Sequence, residues 1–223
     1  MSTLLKINVK NYGLQTQNFF FFQEPSIYTG GSGVYSNSLY SQVLGNFDNT
    51  AGILTFEVNL QYYAGIQQAH QEPKVGESSG YESASRAIDL APANDSDETA
   101  DCVTASVNPL GLSTPIPGEN VQPGAFRITT PSFEPPTVYN IGSAVETSGG
   151  IVLSNFVMAN PMNHTDCQPI LKYYVQTGDY EPGTVMNFTQ SSVNAAICDF
   201  TGGHTIINVD LQANGTWNTT TVK

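Results

Sequence analysis

Charged side chains are scarce in this sequence, and basic ones are the scarcest. Only 12% of the 223 residues are charged, about half of the roughly 25% found in an average soluble domain. Seven basic residues are spread from Lys6 to Lys223 and cannot form the continuous stripe that neutralises a phosphate backbone. The composition therefore argues against nucleic acid as a partner, and it disfavours anionic membranes for the same reason.

Long apolar runs are also missing. No segment approaches the roughly 18 apolar residues that a membrane-spanning helix needs, so we expect no membrane insertion. The first ten residues lack the basic segment and the apolar run of about 7 to 15 residues that mark a signal peptide. Leu5, Ile7 and Val9 instead alternate with polar residues, which predicts a half-buried first strand.

Cysteine is rare and odd in number, with Cys102, Cys167 and Cys198 as the three positions. Three thiols allow at most one internal disulfide, and the third is then free or joined to another chain. All three are disulfide candidates: Cys167 and Cys198 lie in strand-like segments and could pair internally, whereas Cys102 follows the most acidic stretch and is expected near the surface. Three buried thiols in a reducing compartment are the alternative.

Signatures of catalysis and of metal binding are weak. His70, His164 and His204 are isolated, and no Cys-x-x-Cys spacing exists, so no metal site is expected. The segment Gly76–Gly80 matches Gly-x-Ser-x-Gly, but a nucleophile elbow needs a buried strand before the turn and a long helix after it. Neither surrounds this segment. We therefore predict no enzyme activity, no catalytic residue and no cofactor, although a carboxylate pair on facing strands is invisible in a sequence.

The acidic run Asn94–Asp101 offers carboxylate oxygens to a calcium ion. It matches an EF-hand loop only in part, because Ala100 stands where that loop requires Gly and Ser106 where it requires a bidentate Glu. A solvated acidic loop is the favoured interpretation, since charge runs usually mark solvated segments.

The charge that is present is mostly negative. Nineteen of the charged residues are Asp or Glu and seven are Lys or Arg, which gives a formal net charge of -12 at pH 7. The pI is near 4.3, so acidification into the carboxylate range of about 3.9 to 4.3 removes most of the repulsion between molecules. Proteins near zero net charge associate readily. We expect solubility to depend on pH and the surface to favour contacts with other proteins.

Short apolar runs between turn residues predict the fold class. They occur at 5–9, 19–22, 53–60, 125–130, 137–141, 151–157, 170–176, 184–189 and 204–211. Two short helices are expected, at 81–90 and 191–197. Strands at this spacing without long helices predict an all-β protein, an antiparallel β-sandwich of the jelly-roll type. We expect one domain over residues 1–223, with a long acidic, Pro/Gly/Ser-rich loop excursion at about 67–123.

The order of several segments also resembles known proteins. Phe19–Pro25, Ser36–Ser41, Asn108–Leu112 and Thr184–Ser192 are similar to segments of a family of uncharacterised bacterial β-proteins. They also resemble the OCTIN group of fungal proteins, apparently of bacterial origin, which form the dense vacuolar crystals used to sense gravity. The resemblance implies self-assembly in an acidic vacuole, a role in mass and density, and no substrate.

Two hypotheses from different classes follow. The first is a structural protein whose partner is a second copy of itself, assembling in an acid-dependent and thiol-sensitive lattice with contacts around Cys102. The second is a carbohydrate-binding β-sandwich, because aromatic side chains stack on sugar rings. The aromatic candidates for that role are Tyr62, Tyr63, Tyr173, Tyr174 and Trp217.

Overall fold

The computed structural model describes residues 3–93, 98–134 and 136–222, and they form an all-β protein. The elements are β1 (Leu4–Asn11), β2 (Gln17–Gln23), β3 (Ile27–Thr29), β4 (Ser32–Asn37), β5 (Tyr40–Leu44), α1 (Phe47–Thr50), β6 (Leu54–Ala69), β7 (Glu82–Ala87), β8 (Cys102–Val107), β9 (Leu110–Leu112), β10 (Phe126–Thr129), β11 (Val138–Thr147), β12 (Gly150–Met158), β13 (His164–Gln168), β14 (Lys172–Thr177), β15 (Val185–Met186), α2 (Phe188–Ser192), β16 (Ala196–Asp199), β17 (Ile206–Leu211) and β18 (Trp217–Val222).

The strands form three sheets. The largest has nine strands, in the order β15-β4-β12-β11-β6-β1-β17-β18, with β7 paired to the second half of β6. A five-stranded sheet has the order β3-β13-β10-β8-β9, and a four-stranded sheet has the order β16-β14-β2-β5. Most pairs are antiparallel, but β1 with β17 and β8 with β10 are parallel.

Two large hydrophobic cores join the nine-stranded sheet to the two smaller sheets. One core joins the inward side chains of β1, β17 and the first half of β6 to those of the four-stranded sheet; Phe21 and Phe56 stack there with ring centroids 4.5 Å apart. The other joins the second half of β6, with β11 and β12, to Phe126, Ile128 and Val103 of the five-stranded sheet. The 16-residue strand β6 therefore carries side chains into both cores.

The four consecutive phenylalanines of β2 are buried on both faces of the four-stranded sheet. Phe19 and Phe21 enter the first core, while Phe20 and Phe22 pack on the opposite face in a third cluster with Tyr174 and Met186. The segment that contains β15 and α2 covers this outer face, because Met186 and Phe188 both contact the cluster. A continuous aromatic run is thus explained by a strand that is covered on both sides.

The sequence predictions for the strands at 5–9, 19–22, 53–60, 125–130, 137–141, 151–157, 170–176 and 204–211 are confirmed in β1, β2, β6, β10, β11, β12, β14 and β17. The run at 184–189 is strand only at β15, because Asn187 caps α2 by accepting a hydrogen bond from the backbone N–H of Gln190. A jelly roll of two four-stranded sheets is not confirmed, since the chain forms three sheets with two parallel pairs.

Three further predictions differ from the structure. The helix expected at 191–197 lies earlier, as α2 at Phe188–Ser192, and β16 begins at Ala196. The helix expected at 81–90 is wrong: Glu82–Ala87 forms β7, because pairing with β6 overrides the helix preference of an Ala- and Ser-containing segment. The loop excursion expected at about 67–123 contains the end of β6 together with β7, β8 and β9. Strands β7, β8 and β9 have three to six residues and few buried positions, and β7 has none, so their apolar periodicity is too weak to read from the sequence.

Candidate functional site

The last strand of the nine-stranded sheet, β18, is an open edge. It pairs with β17 in an unbroken antiparallel register from Ile206 opposite Val222 to Leu211 opposite Trp217. A tight turn joins the two strands: the backbone N–H of Gln212 donates to the Thr216 carbonyl at 2.8 Å, and Gly215, with φ of +82°, supplies the left-handed residue of the turn. No other strand among the described residues pairs with the far side of β18.

The register identifies which backbone groups of β18 point outward. In an antiparallel pair, hydrogen-bonded and non-hydrogen-bonded positions alternate, and the bond from Gln212 to Thr216 fixes the phase. The N–H and C=O groups of Trp217, Thr219 and Thr221 therefore point away from β17. No hydrogen bond reaches these backbone groups from residues 3–93, 98–134 or 136–222.

None of the usual protective features is present on β18. Natural edge strands avoid pairing with other chains by being short, by carrying charges or proline, by bulging, or by lying under a loop or helix. The sequence Trp217–Val222 has six residues without charge, proline or glycine, and every residue after Trp217 is exposed. Trp217 itself is anchored, because its indole N–H donates to the Asn194 carbonyl at 2.7 Å and its ring meets Phe19 edge-on.

The outer face beside this edge is electrically balanced. Its charged residues are Lys6 and Lys10 on β1, Glu57 on β6 and Asp210 on β17, while β18 has none. Lys6 and Glu57 form an ion pair with Nζ and Oε1 2.8 Å apart. This part of the surface thus carries no net charge, although the chain as a whole has a formal charge of -12.

Polar side chains form a cross-strand row on the same face. Thr55 donates through Oγ1 to the side-chain oxygen of Asn8 at 2.9 Å, and the Asn8 amide donates to the side-chain oxygen of Asn208 at 3.0 Å. Thr220 of β18 lies next to Asn208 in the register. The row fixes neighbouring strands at one level of the sheet and keeps the face polar up to its edge.

The opposite edge of the nine-stranded sheet is closed. There the segment 76–79 runs beside β15: the N–H of Gly76 donates to the Val185 carbonyl at 2.8 Å, and the N–H of Val185 donates to the Glu77 carbonyl at 2.9 Å. Ser79 adds a bond from its N–H to the Gly183 carbonyl at 3.0 Å. Both residues of β15 are buried, so this edge offers little to another chain.

The Gly-x-Ser-x-Gly match at Gly76–Gly80 is therefore part of a sheet-edge closure. The Ser78 hydroxyl donates to the Gly80 carbonyl, and the Ser79 hydroxyl accepts from the Asn37 side-chain amide at 2.8 Å. Asn37 is fully buried and also donates to the Leu153 carbonyl at 2.8 Å. Within the described residues, neither serine hydroxyl is hydrogen-bonded to a histidine.

The three cysteines are free and lie apart. Cys167 is buried in the core under the five-stranded sheet, and Cys198 is buried in the core under the four-stranded sheet. The internal pairing of Cys167 with Cys198 that the sequence allowed is therefore absent from this fold, because the two thiols belong to different sheets. Cys102 opens β8 and is partly exposed, as expected for a residue after the acidic stretch.

Burial decides the ionisation of these thiols. It raises the pKa of Cys167 to about 12 and raises the pKa of Cys198 well above its ordinary value. Partial burial also raises the pKa of Cys102, against smaller opposing effects of Thr129 and Arg127. All three therefore remain protonated at neutral and acidic pH, which lowers the reactivity of Cys102 toward oxidants.

The acidic stretch ends at Asp101, in a segment held by several hydrogen bonds. Asp101 is buried, and its side-chain oxygen accepts from the N–H of Gly118 at 2.8 Å. Arg127 holds the same segment by donating to the carbonyls of Glu119 and Asn120 while forming a two-pronged ion pair with Asp166. A cleft of about 440 Å³ lies beside these residues. Positions 94–97 of the acidic run, which was interpreted as a solvated loop, lie outside the described residues.

The three histidines lie in separate parts of the structure. His70 stacks on Tyr81 with ring centroids 4.1 Å apart, and His164 shares a hydrogen bond of 2.9 Å with the Thr129 hydroxyl. His204 lies in the loop before β17. In the parts of the chain that the structure describes, no three His, Cys, Asp or Glu side chains come together as a metal site.

The aromatic residues expected to stack on sugars are mostly engaged in packing. Tyr173 and Tyr174 are buried, and the Tyr174 hydroxyl donates to Glu24. Tyr62 packs against the second core, and the Tyr63 hydroxyl donates to Glu146 at 2.9 Å. Trp217 is anchored at the edge of the first core. These five aromatic side chains do not form a common exposed surface on which a sugar ring could stack.

Asn214-Gly215 is a turn signal in the sequence, but the strand predictions did not include the strand that follows it. A usable signal was present, because Trp217–Val222 is a β-branched and aromatic run directly after that turn. Whether the outer side of β18 is covered depends on where distant segments of the chain pack, and the local sequence does not show this.

No family model, curated protein or solved structure matches this chain. No helix among the described residues is long and apolar enough to cross a membrane.

Proposed function

We propose that this chain is a non-catalytic structural protein that assembles with copies of itself into dense crystals or a lattice, and that acid promotes the assembly. The observation that carries the proposal is the bare, uncharged edge of β18, whose outward backbone groups have no partner among the described residues. Such an edge is a template for pairing with another chain.

A second open edge gives the assembly a way to extend. Strand β5 ends the four-stranded sheet, has no charged residue, and exposes 61% of Val43. Two separate contact edges on one molecule allow growth beyond a closed dimer, because a lattice needs more than one interface per copy. We infer that the architecture that presents them is a β-sandwich, with the nine-stranded sheet facing the two smaller ones.

The acid dependence follows from the charge balance. At pH 7 the formal charge of -12 opposes close approach of copies, and acidification toward the pI of about 4.3 removes that repulsion. An acidic vacuole, as the resemblance to the gravity-sensing crystal proteins implies, is the proposed location. Where an external oxidant accepts two electrons and two protons from a pair of thiols, a disulfide between copies through the partly exposed Cys102 is a proposed additional link, and it forms slowly because burial raises the pKa of Cys102.

The test is light scattering of the purified protein during acidification from pH 7.5 to 4.5, with and without reductant. We expect ordered particles to form as the pH falls, and non-reducing electrophoresis to show Cys102-dependent dimers in the oxidised sample. A Cys102→Ser variant is the matched control for the covalent link. A monodisperse monomer over the whole range would contradict the proposal.

Carbohydrate binding is the second candidate, supported by one feature. The stacked pair His70 and Tyr81 is an exposed aromatic surface, with 53% of Tyr81 accessible, and exposed aromatic faces bind sugar rings. A glycan array on the wild type and on Tyr81→Ala tests it: binding that the substitution abolishes supports a lectin, and a flat array removes this candidate.

A further inference from the structure

We propose that β18 pairs antiparallel with β18 of a second copy, across a two-fold axis at Thr219, so that the nine-stranded sheet continues from one molecule into the next. The inference rests on the proposed self-assembly and names its first interface. The partner is a second copy of this chain, and the contact is made by main-chain hydrogen bonds.

The hydrogen-bond phase of β18 sets the register. Its outward-pointing residues are Trp217, Thr219 and Thr221, as the bond from Gln212 to Thr216 requires. A two-fold axis at Thr219 places Thr219 opposite Thr219 of the second copy, and Trp217 opposite Thr221 of the second copy. Each opposed pair of this kind exchanges two hydrogen bonds. Every outward N–H and C=O between Trp217 and Thr221 then has a partner.

The side chains of β18 suit this register. Thr219 meets Thr219 of the second copy on one face, and Asn218 meets Thr220 of the second copy on the other, so that only uncharged side chains stand opposite each other. Cross-strand threonine pairs stabilise antiparallel strands, whereas like charges directly opposite destabilise them. The strand contains no group that repels its own copy.

Electrostatics favours a second copy at this edge over other parts of the surface. On the described outer face beside β18, the charged residues are Asp210 on β17, Lys6 and Lys10 on β1 and Glu57 on β6, and their charges cancel. Across the paired edges, Asp210 of one copy lies about three strand spacings across and two residues along from Asp210 of the other, which is roughly 16 Å. That separation exceeds the screening length of about 8 Å at physiological salt. Two molecules of high net negative charge can therefore meet here.

Trp217 makes the pairing observable. It is the only tryptophan of the chain, it lies at the start of β18, and its exposure decreases when a strand is added beside it. We therefore expect a concentration-dependent blue shift of the intrinsic tryptophan fluorescence at pH 7.5, where repulsion prevents larger assemblies.

The decisive variants change Thr219. Thr219→Pro removes the outward N–H and adds a ring at the axis, at a position where the N–H is not bonded to β17, so the hairpin is retained. Thr219→Ser keeps the backbone donor and is the matched control. In sedimentation velocity with reductant at pH 7.5, we expect dimers for the wild type and for Thr219→Ser. We expect at least tenfold weaker dimerisation for Thr219→Pro, with unchanged circular dichroism.

A cross-linking pair keeps the test decisive if Thr219→Pro fails to fold. In a Cys102→Ser background, Thr219→Cys places two thiols opposite each other with Cα atoms about 5.5 Å apart, within the range for a disulfide. Thr220→Cys places them two register steps away. Oxidation should yield a covalent dimer for Thr219→Cys and little for Thr220→Cys. Equal cross-linking of both variants would overturn the register.

The outcomes separate this inference from the proposed function. If the wild type forms particles in acid and Thr219→Pro dimerises as well as the wild type, the β18 interface is wrong and self-assembly stands. If dimers form through β18 but no larger particle appears at any pH, the interface stands and the lattice function fails. Equal binding of an unrelated uncharged strand peptide to the edge, without dimers, would overturn the choice of a second copy.

Discussion

Two edge strands of the nine-stranded sheet, β15 and β18, differ in their burial and in whether their outward backbone groups have partners. At β15 the outer N–H and C=O groups of Val185 are bonded to Glu77 and Gly76, and the strand is buried. At β18 the outward groups of three residues have no partner in the described parts of the chain, and the strand is exposed. The β15 edge is hydrogen-bonded within the molecule, whereas the β18 edge is available to pair with a second molecule.

The difference shows that the state of an edge is decided far from the edge strand. The segment that closes β15 lies more than 100 residues earlier in the chain, just after β6. Its glycines permit the turn that brings it alongside: Gly76 has φ of +86°, a conformation that other residues adopt with strain. Among the residues that the structure describes, no comparable segment runs beside β18.

The largest expected effect comes from weakening the closed edge. Asn37→Ala removes the donor that bonds Ser79 Oγ and the Leu153 carbonyl. It leaves buried polar atoms unsatisfied, which costs about 1 to 3 kcal/mol for each group. We expect urea unfolding to show a loss of about 3 kcal/mol. Asn218→Ala on the open edge is the control and should change stability by less than about 0.5 kcal/mol; equal losses would show that the two edges do not differ as described.

A second change should convert the closed edge into an open one. Gly76→Pro removes the N–H that bonds the Val185 carbonyl, and proline cannot adopt φ of +86°. We expect a loss of about 2 kcal/mol, from one buried carbonyl without a partner, and a new association that Thr219→Pro does not suppress. The measurement is sedimentation velocity of Gly76→Pro combined with Thr219→Pro. A strict monomer would show that segment 76–79 does not protect this edge.

Alkaline pH should lower the free energy of unfolding through a buried thiol, without acting directly on the pairing of β18. Cys167 has a folded pKa of about 12, because it is buried, against an ordinary value of 9.0. Below about pH 9 both folded and unfolded states keep the proton, and stability is full; as pH rises from 9 to 12, only the unfolded state loses it. Stability should fall by about 1.4 kcal/mol per pH unit for this group.

The control for this pH dependence is Cys167→Ala, which should reduce the slope of unfolding free energy against pH between 9 and 11. A slope identical to that of the wild type would mean that the Cys167 thiol ionises without unfolding. Dimerisation through β18 should remain, at pH values where the fold is intact, because the strand carries no titratable group.

The smallest expected effect is electrostatic. Lys10→Glu changes the balanced face beside the open edge to a net negative one. We expect dimerisation to weaken about threefold at 20 mM salt and to recover at 0.5 M, since salt screens exposed charges. Glu134→Lys, a reversal in the loop before β11, serves as a control without effect on the β18 interface. Salt-independent weakening would point to a steric cause.

Much of the fold could be predicted because its strands carry strong local signals. The alternation in β1 and the aromatic run of β2 reflect burial on one face and on both faces, respectively. In contrast, β7 has Ser and Ala where longer strands have branched apolar residues, and it forms because β6 offers a partner. Its existence is a tertiary effect that local sequence does not contain.

The candidate site was harder to predict than the strands. The turn at Asn214-Gly215 is readable, and the run Trp217–Val222 after it has clear strand character. The sequence does not show that this run is exposed, because exposure depends on whether a distant segment packs against the strand. The same limit explains the cysteines: the sequence places Cys167 and Cys198 in strands, but only the sheet topology puts them in different cores.

The most direct test of the open edge is backbone amide hydrogen exchange along β18, followed by nuclear magnetic resonance as a function of protein concentration at pH 7. The amides of Asn218, Thr220 and Val222 bond to β17 and should be protected at every concentration. Those of Thr219 and Thr221 point outward and should exchange quickly in dilute protein, then become protected as dimers form. Fast exchange of Thr219 and Thr221 in samples that sedimentation shows to be assembled would contradict pairing through β18.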